Sequence, residues 1–386
     1  MSRPASLAAA ALTLALLAGC GTAAPAAPGP AATAPPGGTP FLATSLGTAG
    51  DTWAVVVMGG SAASHNNFWQ LFVRPAASTR WTLVTPPGVA DNGGLVLAAT
   101  GGRSLITGFR PSQYLAYTPL AVTGGSGRAW SPAGPLNGVL ANVPDALAAA
   151  PGTGRLLALT ASGTAKLAAP GYTRWSTLAS QRALAATPPG RRCGLSRLTA
   201  VAFTPTGIPL LAGACSHPRT TGIFTTSNRT WRVSGPRLPA PLARQPITVI
   251  RLTRTANRIT ALLKAGNAPA ASLIAAWSAD SGRSWDLSPP LPLHGATLSS
   301  ASFGPAGAAV ILTGNRARAL TGARAAWRSL PALPPGTATL APQPSGSFDA
   351  LTVHRTRLTI WQLSPRAATW HTTQAINVPI QFGSSG

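Results

Sequence analysis

Short apolar runs alternate with small polar residues along most of this chain. In the segment 197–235, apolar runs at 198–203 and 208–214 flank a turn rich in Pro and Gly, and two further runs begin at Gly222 and Trp231. Apolar runs of this length, bounded by turn residues, are typical of short β-strands. This segment therefore predicts four antiparallel strands joined by tight turns.

The four-strand pattern recurs, and two markers follow it at intervals of roughly 50 residues. The first is a tryptophan near the predicted fourth strand, at Trp81, Trp130, Trp175, Trp231, Trp285, Trp327 and Trp370. The second is a turn residue between the first two strands, at or near Gly50, Gly102, Gly154, Gly207, Asn257, Gly307 and Gly346. Glycine and asparagine accept the positive φ of tight hairpins. Both markers indicate seven repeats, and a period of this size is typical of a propeller, solenoid or array.

Four strands repeated seven times predict an all-β fold over residues 41–386, a seven-bladed β-propeller of four-stranded antiparallel blades. Six or eight blades are also compatible with the sequence, because the third and last repeats are degenerate. Composition agrees with one large β domain, since hydrophobic residues make up 45%, charged residues 9%, and the chain has 41 Gly and 38 Pro.

One repeat carries the motif Ser/Thr-x-Asp-x-Gly-x-x-Trp, in the residues Ser278, Asp280, Gly282 and Trp285. A weaker copy at 123–130 keeps the glycine and the tryptophan but lacks the aspartate. The motif resembles the Asp box of BNR-repeat propellers, a family of sialidases and non-enzymatic binding proteins. We expect structural roles here: the Asp280 carboxylate accepts backbone N–H groups of its turn, Gly282 takes a left-handed conformation, and Trp285 packs against the neighbouring blade.

The N-terminus has the features of an export signal. Arg3 precedes an apolar stretch at 7–17, and Leu17-Ala18-Gly19-Cys20 follows. These residues resemble a bacterial lipoprotein signal, which implies acylation of the Cys20 thiol and removal of the leader, residues 1–20. An ordinary secretory signal is the alternative. Residues 21–40 are nearly all Ala, Pro, Gly and Thr and predict a semi-extended tether. We therefore expect an exported chain held to the outer face of the cell membrane by a lipid.

Two further cysteines, Cys193 and Cys215, flank the predicted hairpin of the segment 197–235. The hairpin brings them to the same end, and the exported context allows oxidation, so we expect a disulfide. Closing about twenty residues contributes about 3 kcal/mol in the chain-entropy model. A metal or nucleophile role is the alternative, but no cluster of histidines or carboxylates accompanies either cysteine. We expect no metal and no cofactor.

The acidic residues limit the chemistry that this chain can perform. It has no glutamate and six aspartates, of which only Asp91, Asp145 and Asp349 lie outside the predicted turns and the Asp-box repeat. Glycoside hydrolysis needs two carboxylates across one bond, and no Gly-x-Ser-x-Gly elbow is present. We expect a protein that is not an enzyme. The alternative that the family resemblance raises is a glycan-processing hydrolase of the sialidase type.

The charge balance indicates anionic partners. The chain has 30 Lys and Arg against 6 acids, a net charge of +24 and a pI near 12.0. Arginine suits phosphate and carboxylate groups, and export argues against nucleic acid. We expect an anionic envelope component or an acidic protein surface as partner. A biased composition without function, and a purely structural spacer, are the alternatives.

In propellers the loops between the second and third strands share one face, on which ligands usually bind. The residues that the predicted loops supply to this ligand face are His65, Arg110, His217, Arg219, Arg316, His354 and Arg355. Links from one blade to the next share this face and add Asp91, Arg182, Arg191 and Arg192. Loops are polar by default, so simple solvent exposure is the competing interpretation.

Overall fold

A computed structural model gives the fold of the chain over most of its length. It describes residues 44–48, 51–59, 67–89, 94–101, 104–111, 119–125, 127–134, 144–217, 219–228, 230–255, 257–304, 308–322 and 324–379. Residues 1–40, with Cys20 and the predicted tether, lie outside the described residues, and so do His65, Asp91 and the turn markers Gly50, Gly102 and Gly307.

The described strands fall into successive groups of four, each an antiparallel meander in chain order. Groups 1 to 3 are β1 (Thr44–Thr48), β2 (Asp51–Gly59), β3 (Asn67–Arg74) and β4 (Thr82–Leu83); β5 (Leu95–Gly101), β6 (Ser104–Phe109), β7 (Leu120–Thr123) and β8 (Ser131–Ala133); and β9 (Ala146–Ala149), β10 (Leu156–Leu159), β11 (Thr164–Ala168) and β12 (Trp175–Ser180).

The same arrangement continues to the C-terminal end of the described chain. Groups 4 and 5 are β13 (Leu195–Phe203), β14 (Pro209–Cys215), β15 (Ile223–Ser227) and β16 (Thr230–Val233); and β17 (Ile247–Thr255), β18 (Arg258–Ala265), β19 (Ser272–Ser278) and β20 (Asp286–Leu287), with β21 (Leu291–Pro292) also pairing β19. Groups 6 and 7 are β22 (Leu298–Phe303), β23 (Ala309–Thr313), β24 (Arg316–Leu320) and β25 (Arg328–Ser329); and β26 (Thr337–Pro342), β27 (Phe348–His354), β28 (Arg357–Leu363) and β29 (His371–Asn377).

The sequence prediction of an all-β architecture built from four-stranded antiparallel sheets is confirmed. Two pairings join strands of different meanders: β14 of group 4 pairs β17 of group 5 antiparallel, and β1 of group 1 meets β22 of group 6 in a parallel pair between Leu46 and Phe303. Two of the predicted turn glycines, Gly207 and Gly346, have φ of 79° and 81°. An L side chain rarely adopts this conformation, which explains glycine at these hairpins.

In the described part of the chain, three short helices interrupt the β pattern: α1 (Gln181–Ala185), α2 (Pro188–Cys193) and α3 (Ala240–Ala243). All three lie in links between one group and the next. Ser180 and Thr187 cap the first two, because their side-chain oxygens accept hydrogen bonds from the backbone N–H groups of Ala183 and Gly190. The sequence pattern predicts loops in these links, so the helices differ from the prediction.

Each group packs against the next through an apolar core, and the last group packs against the first. The cores join groups 1 and 2, 2 and 3, 3 and 4, 4 and 5, 5 and 6, 6 and 7, and finally 7 and 1. Strands β5, β9, β13 and β17 also line a common cavity of about 30 Å³, so the first strands of groups 2 to 5 converge on one another. Both faces of each sheet are covered in this arrangement, which explains why many strands are buried along nearly their whole length.

Every tryptophan of the repeat lies in the core between its own group and the preceding one. Three of them also donate the indole N–H to a backbone carbonyl of that preceding group. These bonds run from Trp130 Nε1 to Val84 O at 2.7 Å, from Trp285 Nε1 to Ser234 O at 2.8 Å, and from Trp327 Nε1 to Pro289 O at 3.0 Å. The tryptophan period is therefore the period of the packing between sheets.

The contact between groups 7 and 1 has a different polar component, which we call the seam. Trp81 donates its indole N–H to the Asp349 carboxylate at 2.8 Å, and Arg74 Nη1 lies 2.8 Å from the same oxygen. Gln343 and Gln362 also donate to this carboxylate, each at 3.2 Å. The Asp349 side chain is 2% exposed. Side chains from the two ends of the sequence thus meet at one buried charge.

Candidate functional site

The Asp-box turn has the structure that its residues predict. Asp280 Oδ1 accepts the backbone N–H groups of Arg283 and Ser284 at 3.0 and 2.8 Å, and Oδ2 accepts the Ser284 hydroxyl at 2.5 Å. Ser278 bridges the turn, because its hydroxyl donates to Asp280 Oδ1 and accepts the N–H of Gly282. The hydrogen bonds from the hydroxyl and backbone N–H of Ser284 are the main reason why the pKa of Asp280 falls to about 2. This carboxylate is therefore satisfied within its own turn.

Gly282 explains why the turn sits against group 4. Its φ is 87°, and a Cβ at this position would lie 2.2 Å from Ser234 Oγ. Ser234 in turn donates its hydroxyl to Gly282 O at 3.1 Å and accepts the Trp285 indole N–H through its carbonyl. The Asp-box turn thus places the Arg283 backbone at the edge of the neighbouring sheet.

The predicted disulfide is present between Cys193 and Cys215, with a Cα–Cα distance of 4.9 Å. Both cysteines are buried in the core of groups 3 and 4. The bridge ties the end of α2 to the end of β14. His217 follows β14 directly, and its Nδ1 lies 3.1 Å from the carbonyl oxygen of Arg191 in α2. The disulfide therefore fixes α2 beside the loop between β14 and β15.

Four arginines line one groove between groups 4 and 5, which we call the arginine groove. Arg192 comes from α2, Arg219 from the β14–β15 loop, Arg237 from the chain after β16, and Arg283 from the Asp-box turn. The groove has a volume of about 580 Å³, and Trp285 forms part of its wall. All four arginines are exposed.

None of the four guanidinium groups of the arginine groove has a carboxylate partner among the described residues. The ion pairs of Arg74 with Asp349 and of Arg324 with Asp286 involve none of these four arginines. Asp280, which lies in the same turn as Arg283, is occupied by its own hydrogen bonds. The groove therefore presents uncompensated positive charge, which favours an anionic ligand.

Two of these arginines lie in links and loops that the sequence predicts, but nothing in the sequence brings them together. Arg219 belongs to the predicted ligand face, and Arg192 to a predicted link between repeats. Arg237 and Arg283 are not predicted as site residues, because one follows a fourth strand and the other lies in a turn whose motif predicts a structural role. No linear spacing connects the four positions, since the groove forms only where two groups meet.

The other residues predicted for the ligand face lie in loops between second and third strands where the structure describes them. Arg110 follows β6, Arg316 begins β24, and His354 and Arg355 lie at the turn between β27 and β28. Arg316 lines a separate cavity of about 250 Å³ with Arg318 and Pro331. These residues are therefore distributed over groups 2, 6 and 7, away from the four that form the arginine groove.

Of the five described aspartates, four make structural contacts, Asp280 in its own turn and the others elsewhere. Asp51 accepts the backbone N–H of Ala76 at 2.8 Å, Asp286 pairs with Arg324, and Asp349 lies in the seam. Asp145 is half-buried before β9, and burial raises its pKa to about 6. Among the described residues, no group of His, Cys, Asp and Glu could hold a metal ion. Nor is any helix of the described chain long and apolar enough to cross a membrane.

Comparison with known proteins finds structural likeness without sequence likeness. No family model matches the chain, and no curated protein matches it either. A putative 6-phosphogluconolactonase from Bacteroides uniformis is 13% identical with a TM-score of 0.47, over 84% of this chain and 97% of that one. YCF48 bound to D1 peptide is 14% identical with a TM-score of 0.41, over 76% and 82% of the two chains.

A third similar structure is a Trypanosoma rangeli sialidase in complex with 2,3-difluorosialic acid. It is 9% identical with a TM-score of 0.41, over 72% of this chain and 51% of that one. YCF48 and the sialidase are both β-propeller folds. Because the TM-scores of these three structures are all below 0.5, we transfer no functional residue from these proteins to this chain.

Proposed function

We propose that this chain is an exported lipoprotein whose seven-bladed β-propeller binds an anionic polymer of the cell envelope without catalysing a reaction. The polymer carries repeated phosphate or carboxylate groups and lies in the arginine groove. Cys20 carries the lipid that holds the protein to the outer face of the membrane.

Support for a closed seven-bladed ring comes from the order of the apolar cores. Each four-stranded group packs on its successor, and group 7 packs on group 1. A row of sheets with free ends would leave one face of the first and the last sheet without a core. When the sheets are arranged in a ring, the first and the last sheet cover each other, which is the physical advantage of a propeller.

The arginine groove is the observation that carries the binding proposal. Four exposed arginines line one space, and the carboxylate of Asp280, in the same turn as Arg283, is held by the hydrogen bonds of that turn. A guanidinium binds phosphate or carboxylate through two parallel hydrogen bonds, so several in a row suit a ligand with repeated anionic groups. The net charge of +24 adds long-range attraction for such a ligand.

The aspartates support a role without catalysis. Glycoside hydrolysis needs an acid and a second carboxylate on either side of the scissile bond. Asp280, Asp286 and Asp349 serve a turn, a surface ion pair and the seam. A panel of fluorogenic sialosides and glycosides should therefore give no turnover. Turnover that disappears in Asp145→Asn or in Asp91→Asn would favour the sialidase-type hydrolase instead.

The binding proposal is tested by removing charge from the groove. We would measure co-sedimentation of the protein with purified anionic cell-wall polymer, and its binding to polyphosphate, for the triple variant Arg219→Gln, Arg237→Gln and Arg283→Gln. We expect at least about tenfold weaker binding. The affinity should also depend less steeply on salt concentration, because a variant with fewer charge contacts releases fewer counterions when it binds.

A matched control removes the same charge elsewhere. Arg174, Arg258 and Arg366 are exposed and lie outside the groove. The triple Gln variant at these positions should bind within about threefold of the wild type, since only the long-range field is weakened. Equal losses in both triple variants would show that net charge, not the groove, controls binding. If the wild type bound an acidic protein but neither the cell-wall polymer nor polyphosphate, the partner would be a protein.

The anchoring proposal has its own test. Cys20→Ala should move the protein from the detergent phase to the aqueous phase in a detergent partition experiment, because an acyl chain contributes about 0.8 kcal/mol per buried CH₂. Mass spectrometry of the mature N-terminus should show an acylated Cys20 in the wild type. A mature N-terminus cleaved elsewhere, without acyl groups, would support the ordinary secretory signal.

A further inference from the structure

A second cavity, distinct from the arginine groove, opens where groups 4, 5 and 6 meet, and we call it the Lys264 pocket. It has a volume of about 240 Å³. Apolar side chains of Ile250, Leu293 and Leu298 line it, and Lys264 and Arg197 are its charged groups. An apolar cavity with a few convergent polar groups is the usual form of a small-molecule site.

Lys264 occupies a position where the strand pattern calls for an apolar residue. Side chains two apart on a strand share a face, and Leu262 is buried in the core between groups 5 and 6. On the neighbouring strands Lys264 pairs with Thr248 and Leu273, which line the same pocket. Lys264 thus stands at the end of the row of side chains that faces group 6.

The placement of this lysine is unusual within the fold. Among the described second strands, β2, β6, β10, β14, β18, β23 and β27, the only Lys or Arg residues are Arg258, at the exposed start of β18, and Lys264. Lys264 is half-buried, as is Arg197. Neither side chain has a carboxylate partner among the described residues.

A half-buried ammonium group without a partner loses hydration and gains no compensating charge. In this pocket a second cation lies on the same lining, and the remaining surface is mainly apolar. A ligand that supplies one carboxylate for Lys264 and Arg197, and an apolar group for Ile250, Leu293 and Leu298, would satisfy both parts of the site.

We propose that the Lys264 pocket binds a small apolar molecule that carries a single carboxylate. Pockets for drug-sized ligands measure roughly 300–1,000 Å³, so the ligand here is smaller, of the size of octanoate or 3-phenylpropionate. The carboxylate bonds to Lys264 and Arg197, and the apolar group lies against the segment 293–298. This inference does not depend on the arginine groove, which lies between groups 4 and 5 and shares no lining residue with the pocket.

The test measures the binding of octanoate, 3-phenylpropionate and octan-1-ol to the full chain. Calorimetry and saturation-transfer NMR detect the binding. We expect both carboxylates to bind and octan-1-ol, which has the same chain without the charge, to bind at least about tenfold more weakly. Lys264→Met should lower the affinity for octanoate by at least about tenfold and leave that for octan-1-ol unchanged.

The chain offers a matched control, because it has only one other lysine, Lys166. Lys166 is half-buried in β11 of group 3 and lies outside the pocket. Lys166→Met removes the same charge and should bind octanoate like the wild type. In the wild type, octanoate should protect Lys264 but not Lys166 from acetylation by an N-hydroxysuccinimide ester, as read by mass spectrometry. This footprint decides the question even if Lys264→Met fails to fold.

Four results would overturn the proposal. They are absence of binding by either carboxylate, equal binding of octanoate and octan-1-ol, unchanged octanoate binding in a folded Lys264→Met variant, and equal protection of both lysines. A peptide ending in Leu with a free carboxylate, compared with its amide, separates two sources of the ligand. Tighter binding of the free-acid peptide than of octanoate keeps the site and assigns the carboxylate to a polypeptide terminus.

The two sites are also separable by experiment. The triple groove variant at Arg219, Arg237 and Arg283 should bind octanoate like the wild type. Lys264→Met should in turn retain its binding to polyphosphate. Failure of one proposal therefore leaves the other standing.

Discussion

Asp349→Asn tests whether a buried charge holds the seam together. The substitution keeps the shape of the side chain but removes the negative charge that lies 2.8 Å from Arg74 Nη1 and accepts the Trp81 indole N–H. Burial raises the pKa of Asp349, and the charge of Arg74 opposes this shift. In the variant, the guanidinium of Arg74 stays in place without its partner.

The magnitude follows from the burial of the pair. The side chains of Arg74 and Asp349 are 13% and 2% exposed. Removing one partner of a buried pair costs about 3–5 kcal/mol, because the other charge is left uncompensated. Whole domains have a free energy of unfolding of about 5–15 kcal/mol. We therefore expect Asp349→Asn to lose a large fraction of the stability of the chain.

Asp286→Asn is the matched control, since it breaks an ion pair at the surface. Arg324 Nη2 and Asp286 Oδ1 lie 2.7 Å apart, but the side chains are 82% and 46% exposed. Exposed pairs contribute about 0–1 kcal/mol. Urea unfolding followed by tryptophan fluorescence measures both variants. The double variant Arg74→Met, Asp349→Leu should recover part of the loss, because it leaves no unpaired charge but deprives the Trp81 indole N–H of its acceptor. A loss below about 1 kcal/mol in Asp349→Asn, or one equal to that of Asp286→Asn, would refute the reasoning.

Three further predictions concern pH, a backbone position and the disulfide. Burial raises the pKa of Asp145 from 3.8 to about 6, so the folded state binds more protons and the free energy of unfolding falls as pH rises through this window. The full pKa shift corresponds to about 3 kcal/mol, which we reduce to about 1–2 kcal/mol because the side chain is partly exposed. In urea unfolding, Asp145→Asn should therefore raise the free energy of unfolding by this amount at pH 8 and by little at pH 4. An equal gain at both pH values would contradict this. Gly282→Ala should lower the stability by about 1–3 kcal/mol in thermal unfolding, because its φ is 87° and the new Cβ meets Ser234, whereas a neutral effect would mean that the turn can move. Cys193→Ser with Cys215→Ser should cost about 3 kcal/mol for a sequence separation of 22 residues, and an unchanged unfolding midpoint would show that the bridge constrains nothing.

The repeat architecture was readable from the sequence because tryptophan has one physical task in every group. Its large ring fills the space between two sheets, so its spacing reports the length of one sheet plus one link. The Asp-box turn and the pair Cys193 and Cys215 were readable for a similar reason, since each involves residues close in sequence and a local hairpin. Features of this kind can be predicted from the sequence, because the residues that form them are close together along the chain.

Features formed between groups were not readable in this way. Arg237 and Arg283 join Arg192 and Arg219 only through the register of group 5 against group 4. The role of Asp349 depends on Arg74 and Trp81, more than 260 residues away. Helices α1 and α2 do have a local signal in the sequence, since Ser180 and Thr187 are good caps and Pro188 follows at the first helical position.

The seam has a consequence for how the chain matures. Group 1 is complete at Leu83, whereas the residues that cover it begin at Thr337. At a synthesis rate of about 5–20 residues per second, roughly a quarter of a minute to a minute passes before that cover exists. During this interval the apolar side of the first sheet, with Phe72 and Trp81, has no native partner. A holding chaperone that shields this surface until the last repeat has emerged would protect the nascent chain from aggregation.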